Sequence, residues 1–117
     1  MKISQNNIPP FLQVKLPEIF ALCRKHKLKK LWVFGSVMSK NFRTDSDVDF
    51  LYEMDDTNIH ESESYDCFWG FYDALQALLE RPIDMVWYAG IKNPYFKEEV
   101  DENKCLIYDK EAEKVSL

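Results

Sequence analysis

Leu31-Trp32-Val33-Phe34-Gly35-Ser36, followed after ten residues by Asp47-Val48-Asp49-Phe50-Leu51-Tyr52, is the stretch whose reading decides the fold. The first apolar run is short, rich in aromatic and β-branched residues, and ended by glycine, which predicts a buried strand over Leu31–Phe34. Asp47–Tyr52 reads as a second strand, and a period of two puts Asp47 and Asp49 on one face. Two carboxylates held side by side repel each other and are costly to keep ionised. A bound divalent cation would offset that repulsion. The Gly35-Ser36 corner can offer backbone N–H groups and a hydroxyl to a phosphate. Glycine there lets the phosphate approach with no Cβ in the way. Phosphate donors beside metal-binding carboxylates suggest a nucleoside triphosphate site.

Outward from this stretch, the pattern alternates helix and strand. Residues 1–15 read as a polar lead-in carrying Pro9-Pro10. Residues 16–29 read as a helix, with Pro17 and Glu18 suited to its first turn and Arg24, Lys25 and Lys27 to its last. Leu16, Ile19, Phe20 and Cys23 recur at helical spacing and are expected to face a sheet. Val37–Lys40 is expected to form one short helical turn, and Asn41–Ser46 a loop. Residues 62–79 form the longest helical pattern, with Tyr65, Phe68, Trp69, Tyr72, Leu75 and Leu79 on one stripe. Arg81-Pro82 breaks it and introduces a third strand, Ile83–Tyr88, whose alternation sets Asp84, Val86 and Tyr88 against Ile83, Met85 and Trp87. An aspartate inside an apolar strand is expensive to bury alone. Residues 93–103 read as a last helix, Cys105–Tyr108 as an edge strand, and 111–117 as a polar tail.

Gly35-Ser36, ten residues, then Asp47-x-Asp49 resembles the signature of the DNA polymerase β-like nucleotidyltransferase superfamily. The likeness is nearest to its minimal nucleotidyltransferase branch, small proteins often paired with a helical HEPN partner. Arg81-Pro82-Ile83-Asp84-Met85-Val86 resembles the strand supplying that family's third carboxylate. Pro94–Val100 with Leu106-Ile107-Tyr108 resembles its closing helix and strand, so the likeness spans residues 16–110. The resemblance implies an α/β (α+β) nucleotidyltransferase fold, a small mixed sheet with helices mainly on one face. It implies transfer of AMP from ATP to a hydroxyl acceptor, with Asp47, Asp49 and Asp84 as catalytic and metal residues around one or two Mg²⁺ ions. Asp84 is open between metal ligand and proton acceptor. Gly35 and Ser36 would hold phosphates. Where the family often carries an arginine-containing run of small residues, this chain has Val37-Met38-Ser39-Lys40, and Lys40 and Arg43 are the candidates to supply the positive charge.

The resemblance also implies an acceptor delivered by another protein, since larger relatives append a recognition domain for which residues 1–117 leave no room. A tyrosine of a HEPN-type toxin, with this chain as antitoxin, is the leading acceptor. Two rivals stand beside it: a non-catalytic antitoxin or binding module on the same fold, and a small-molecule, antibiotic-type nucleotidyltransferase working with a partner subunit.

Composition narrows the classes further. One domain is expected, ordinary in composition at 46% hydrophobic and 30% charged. No stretch suits a membrane span and the amino terminus has no apolar signal core, so a cytoplasmic location is expected. The net charge of −5 argues against broad nucleic-acid binding through the phosphate backbone, though not against a nucleotide whose charge a metal neutralises. Cys23, Cys67 and Cys105 have no Cys-x-x-Cys spacing and read as reduced, buried thiols. His26 and His60 read as surface or loop residues without chemistry. Asp45-x-Asp47-x-Asp49 is not a calcium loop, because Phe50 stands where that loop needs glycine.

Overall fold

The computed structural model describes residues 8–35, 47–55 and 61–111. They form α1 (Pro10–Gln13), α2 (Leu16–Lys25), β1 (Leu28–Phe34), β2 (Val48–Met54), α3 (Glu61–Leu79), β3 (Ile83–Trp87), α4 (Pro94–Asn103) and β4 (Cys105–Asp109), with a 3-10 turn at Tyr88–Gly90. The strands lie in the order β3-β2-β1-β4. β1 runs antiparallel to β2 and β4, and β2 runs parallel to β3. A parallel pair needs a long crossover, and α3 supplies it.

The central strand β1 is covered on both sides, which is why Leu31–Phe34 is a continuous apolar run rather than an alternating one. Leu31 and Val33 join Phe50 and Ile83 beneath Ile19 and Cys23 of α2 and Phe71 and Leu75 of α3. Trp32, Phe34 and Leu51 face the other way, under Phe96 and Val100 of α4. Among the described residues the helices therefore lie mainly on one face, with α4 alone on the other. Asn93 caps α4 through Oδ1, which accepts from the N–H groups of Tyr95 and Phe96 at 2.9 and 3.2 Å. The Phe34 and Phe96 rings then meet edge-on at 6.2 Å.

Several sequence expectations are corrected. The helix expected over 16–29 ends at Lys25, and β1 begins at Leu28 instead of Leu31. Lys27 turns the chain with φ 60, and its carbonyl accepts from the Asp55 N–H at 2.8 Å. Pairing with β2 thus recruits Lys29 and Lys30 against their local preference. The lead-in expected over 1–15 joins the fold from residue 8: Ile8 and Leu12 are buried in the main core. α1 takes Pro10 into its first turn, and the Arg81 guanidinium lies 4.3 Å over the Phe11 ring. On α3, Phe71, Leu75 and Leu79 are buried, while Tyr65 and Trp69 lie exposed beyond the edge of the core stripe. The turn expected at Val37–Lys40 lies outside the described residues. Cys23, Cys67 and Cys105 are free thiols; Cys23 and Cys105 are buried as expected, Cys67 only half-buried, and burial raises the pKa of Cys105.

His26 lies in the turn between α2 and β1, as expected of a loop residue, but it is partly packed. Its ring is half-buried, edge-on to Phe71 at 6.2 Å between centroids, and fits where α3 has Gly70. A Cβ at Gly70 would meet His26 Cε1 at 2.9 Å. Burial, and then the charge of Lys25, lowers the imidazole pKa. His60 lies outside the described residues. Alanine normally stabilises a helix interior by about 1 kcal/mol over glycine, so the clash sets a test. Gly70→Ala alone is expected to give no stabilisation or a loss, whereas in a His26→Ala background it is expected to return about 1 kcal/mol. Urea denaturation of the four proteins in this double-mutant cycle measures the coupling.

Candidate functional site

β2 and β3 begin together. The Val48 N–H donates to the Pro82 carbonyl at 3.2 Å, and the Tyr72 hydroxyl of α3 donates to the Ile83 carbonyl at 3.2 Å. These bonds fix the register in which Val48 faces Ile83 and Asp49 faces Asp84. Register partners in a parallel pair point to the same side of the sheet. Phe50 and Met85, the next residues along, turn to the core beneath α2 and α3. Asp49 and Asp84 therefore project from the opposite face, the one α4 partly covers. Asp84 is exposed and Asp49 half-buried. Asp47 stands just ahead of β2, exposed, and its charge reaches Asp49.

Three influences raise the Asp49 pKa above the usual carboxylate range: burial first, then the charge of Asp84, then that of Asp47. β1 adds the fourth element. Phe34 pairs with Asp49 across the β1–β2 ladder, and Gly35 follows with φ 83. A Cβ at Gly35 would sit 2.6 Å from Asp49 Oδ2. Glycine is therefore required twice, by a left-handed backbone and by the carboxylate packed against it.

The donor set suits a hard divalent cation. Carboxylates that destabilise one another's charge are relieved by a cation between them, and Mg²⁺ favours such oxygens. Among the described residues, no three acidic, imidazole or thiol groups converge closely enough to enclose an ion by themselves.

Of the residues expected from sequence, the fold brings together Gly35, Asp47, Asp49 and Asp84. Ser36, Lys40 and Arg43 lie outside the described residues. Sequence reasoning missed the part of Tyr72, which reads as one more aromatic on the α3 stripe. Nothing in the spacing separates it from its neighbours, yet its hydroxyl ties α3 to the start of the strand that carries Asp84.

Residues 17–113 match the family model described as "Polymerase beta, Nucleotidyltransferase". A protein of Methanocaldococcus jannaschii named "Putative protein adenylyltransferase MJ0128" is 36% identical over 87 residues, 74% of this chain and 82% of that one. Among solved structures, one described as a "putative minimal nucleotidyltransferase" superposes with TM-score 0.63 at 27% identity, covering 80% of this chain and 89% of the other. Two others share the fold at lower identity. A toxin-antitoxin structure with AMP-PNP matches at TM-score 0.59 and 20% identity, over 84% of this chain and 76% of its own. A tri-AMPylated Shewanella oneidensis HEPN toxin in complex with MNT antitoxin matches at TM-score 0.56 and 18% identity, over 87% and 76%.

The raised Asp49 pKa fixes the sign of a stability effect. The folded state holds the Asp49 proton more tightly than the unfolded chain, so its ionisation at neutral pH opposes folding, and acidification through the folded pKa removes that cost. Asp49→Asn, measured by thermal unfolding in chelator at pH 7, is expected to raise the midpoint rather than lower it. The gap between variant and parent is expected to narrow as pH falls toward 4.

Proposed function

The chain belongs to the polymerase β nucleotidyltransferase family and is a nucleotidyltransferase, and from that premise we propose that it moves AMP from ATP to a tyrosine hydroxyl of a HEPN-type protein, as that protein's antitoxin. One observation carries the reading: Asp49 and Asp84 stand side by side in the β2–β3 ladder with Asp47 at its mouth, next to the Gly35 corner. The M. jannaschii relative bears the name of a protein adenylyltransferase. The toxin-antitoxin structures that share the fold support the choice of nucleotide and partner.

In this reading Asp47, Asp49 and Asp84 would hold one or two Mg²⁺ ions. When bound, Mg²⁺ neutralises triphosphate charge and orients an in-line displacement. The rest falls to the chain's own groups. The N–H groups near Gly35 and the Ser36 hydroxyl cradle the terminal phosphates, and Lys40 and Arg43 add positive charge beside them. The tyrosine oxygen forms a bond to the α-phosphorus as the bond from that phosphorus to the bridging oxygen breaks. Pyrophosphate leaves. The phenolic proton passes to a carboxylate, and Asp84, exposed on the edge strand, takes that role where Asp47 and Asp49 alone hold the metal. The domain responsible spans residues 16–110 together with the α1 packing. Among the described residues no helix is long and apolar enough to cross a membrane, and we assign the reaction to the cytoplasm.

Incubation of the chain and its HEPN-type partner with Mg²⁺ and α-labelled ATP tests this. Label is expected in the partner, with Asp47→Asn/Asp49→Asn lowering transfer by about 10²-fold or more. Transfer to a small molecule instead would favour the antibiotic-type reaction, and protection from the toxin that survives the double substitution would leave a binding module. A second expectation concerns the cations: Lys40→Ala and Arg43→Ala are each expected to weaken ATP binding about tenfold, and unchanged affinity in the double variant would remove their assignment.

A further inference from the structure

The long crossover helix α3 carries two stripes. One is core, Phe71, Leu75 and Leu79. The other, Tyr65, Phe68, Trp69 and Tyr72, follows i, i+3, i+4, i+7 spacing along about 10 Å of helix axis. Its rings form an unbroken ladder: Tyr65 to Trp69 at 6.2 Å, Trp69 to Phe68 at 5.0 Å, and Trp69 to Tyr72 at 5.5 Å. Phe68 anchors the ladder to Tyr52 of β2 at 5.0 Å. Its outer edge is open, with Tyr65 68% and Trp69 44% exposed. Trp87, the register partner of Tyr52, is 54% exposed and extends the surface to β3.

The charge on this helix selects what can cover it. α3 contains Glu61, Glu63, Asp66 and Asp73 and no lysine, arginine or histidine. Asp66 and Asp73 are exposed beside the aromatic strip. A second copy of the chain would oppose carboxylate to carboxylate across a two-fold axis, a repulsive pairing. A partner that lays an apolar stripe on the ladder and sets lysine or arginine along its rim meets both features. The strip runs along one helix face for two turns, the shape that receives an amphipathic helix.

We infer that the outward aromatic face of α3 is the docking surface for a basic-rimmed helix of the partner protein. The inference rests on the partner class proposed above. The carboxylates project from the opposite side of the sheet, so grip and chemistry occupy separate surfaces. Loss of the grip weakens binding of the partner and leaves nucleotide binding intact.

The test uses the purified chain and the HEPN-type protein that co-purifies with it, in chelator so that no transfer occurs. Trp69→Ala, and separately Asp66→Lys/Asp73→Lys, are expected to weaken the complex about tenfold or more, with thermal midpoint and MgATP affinity unchanged. A photo-crosslinker at position 65 is expected to join a lysine- or arginine-bearing helix of the partner, and one at Tyr95 on α4, 82% exposed, to join nothing. Parental affinity in both variants, crosslinks from 95 alone, or crosslinks joining two copies of this chain through position 65 would each overturn the assignment. A parent chain that binds MgATP yet forms no complex with any HEPN-type protein would remove the partner class itself, a result distinct from failure of the surface.

Discussion

The parallel register between β2 and β3 is the constraint on which the rest depends. Asp49 and Asp84 are 35 residues apart in sequence and become neighbours only because these strands start level. Register in a half-covered sheet is unforgiving, since a slip by one residue turns every side chain of the strand to the other face. Such a slip would send Asp84 into the apolar layer beneath α3 and bring Met85 out in its place. Two hydrogen bonds oppose it, from Val48 to Pro82 and from Tyr72 to Ile83. The crossover helix is thus a fixture of the site as well as a cover for the core.

This arrangement also divides the labour between the two faces. The face beneath α1, α2 and α3 holds the larger core, with Phe50, Phe71 and Leu75 fully buried. Among the described residues the opposite face is only partly roofed, by α4 through Val100 and Phe96. At the end α4 leaves open, Asp47 and Asp84 are exposed beside Asp49. A second helix there would complete an apolar layer and close the site.

Much of this was legible in the sequence, for identifiable reasons. Short apolar runs, one ended by Gly35 and one opening after Pro82, mark strands, and a charge at Asp49 or Asp84 within such a run stands out because burial makes it costly. What escaped reading depends on contacts between distant segments. Leu28–Lys30 look like the end of a cationic helix, and only pairing with Glu53 and Met54 on one side and Asp109 on the other makes them strand. Ile8 and Leu12 stand in a short stretch broken by Pro9-Pro10 and show no period long enough to count. His26 is a turn residue, and nothing local shows that Gly70, 44 positions away, makes room for its ring. Tyr65 and Trp69 share the spacing of the core stripe, and no pattern within one helix says where that stripe stops facing the protein.

The Gly35–Asp49 contact separates two residues that the signature presents as equals. Gly35 is held by its own backbone: at φ 83 any side chain is strained, whatever stands opposite. A descendant of this chain that lost its chemistry would still keep glycine there. Asp49 is in the reverse position, because burial, Asp84 and Asp47 all oppose its charge. Drift without selection for activity would replace it first, with any small neutral residue that leaves Gly35 its space. The glycine answers to the backbone, and the aspartate beside it stands against the preference of the fold.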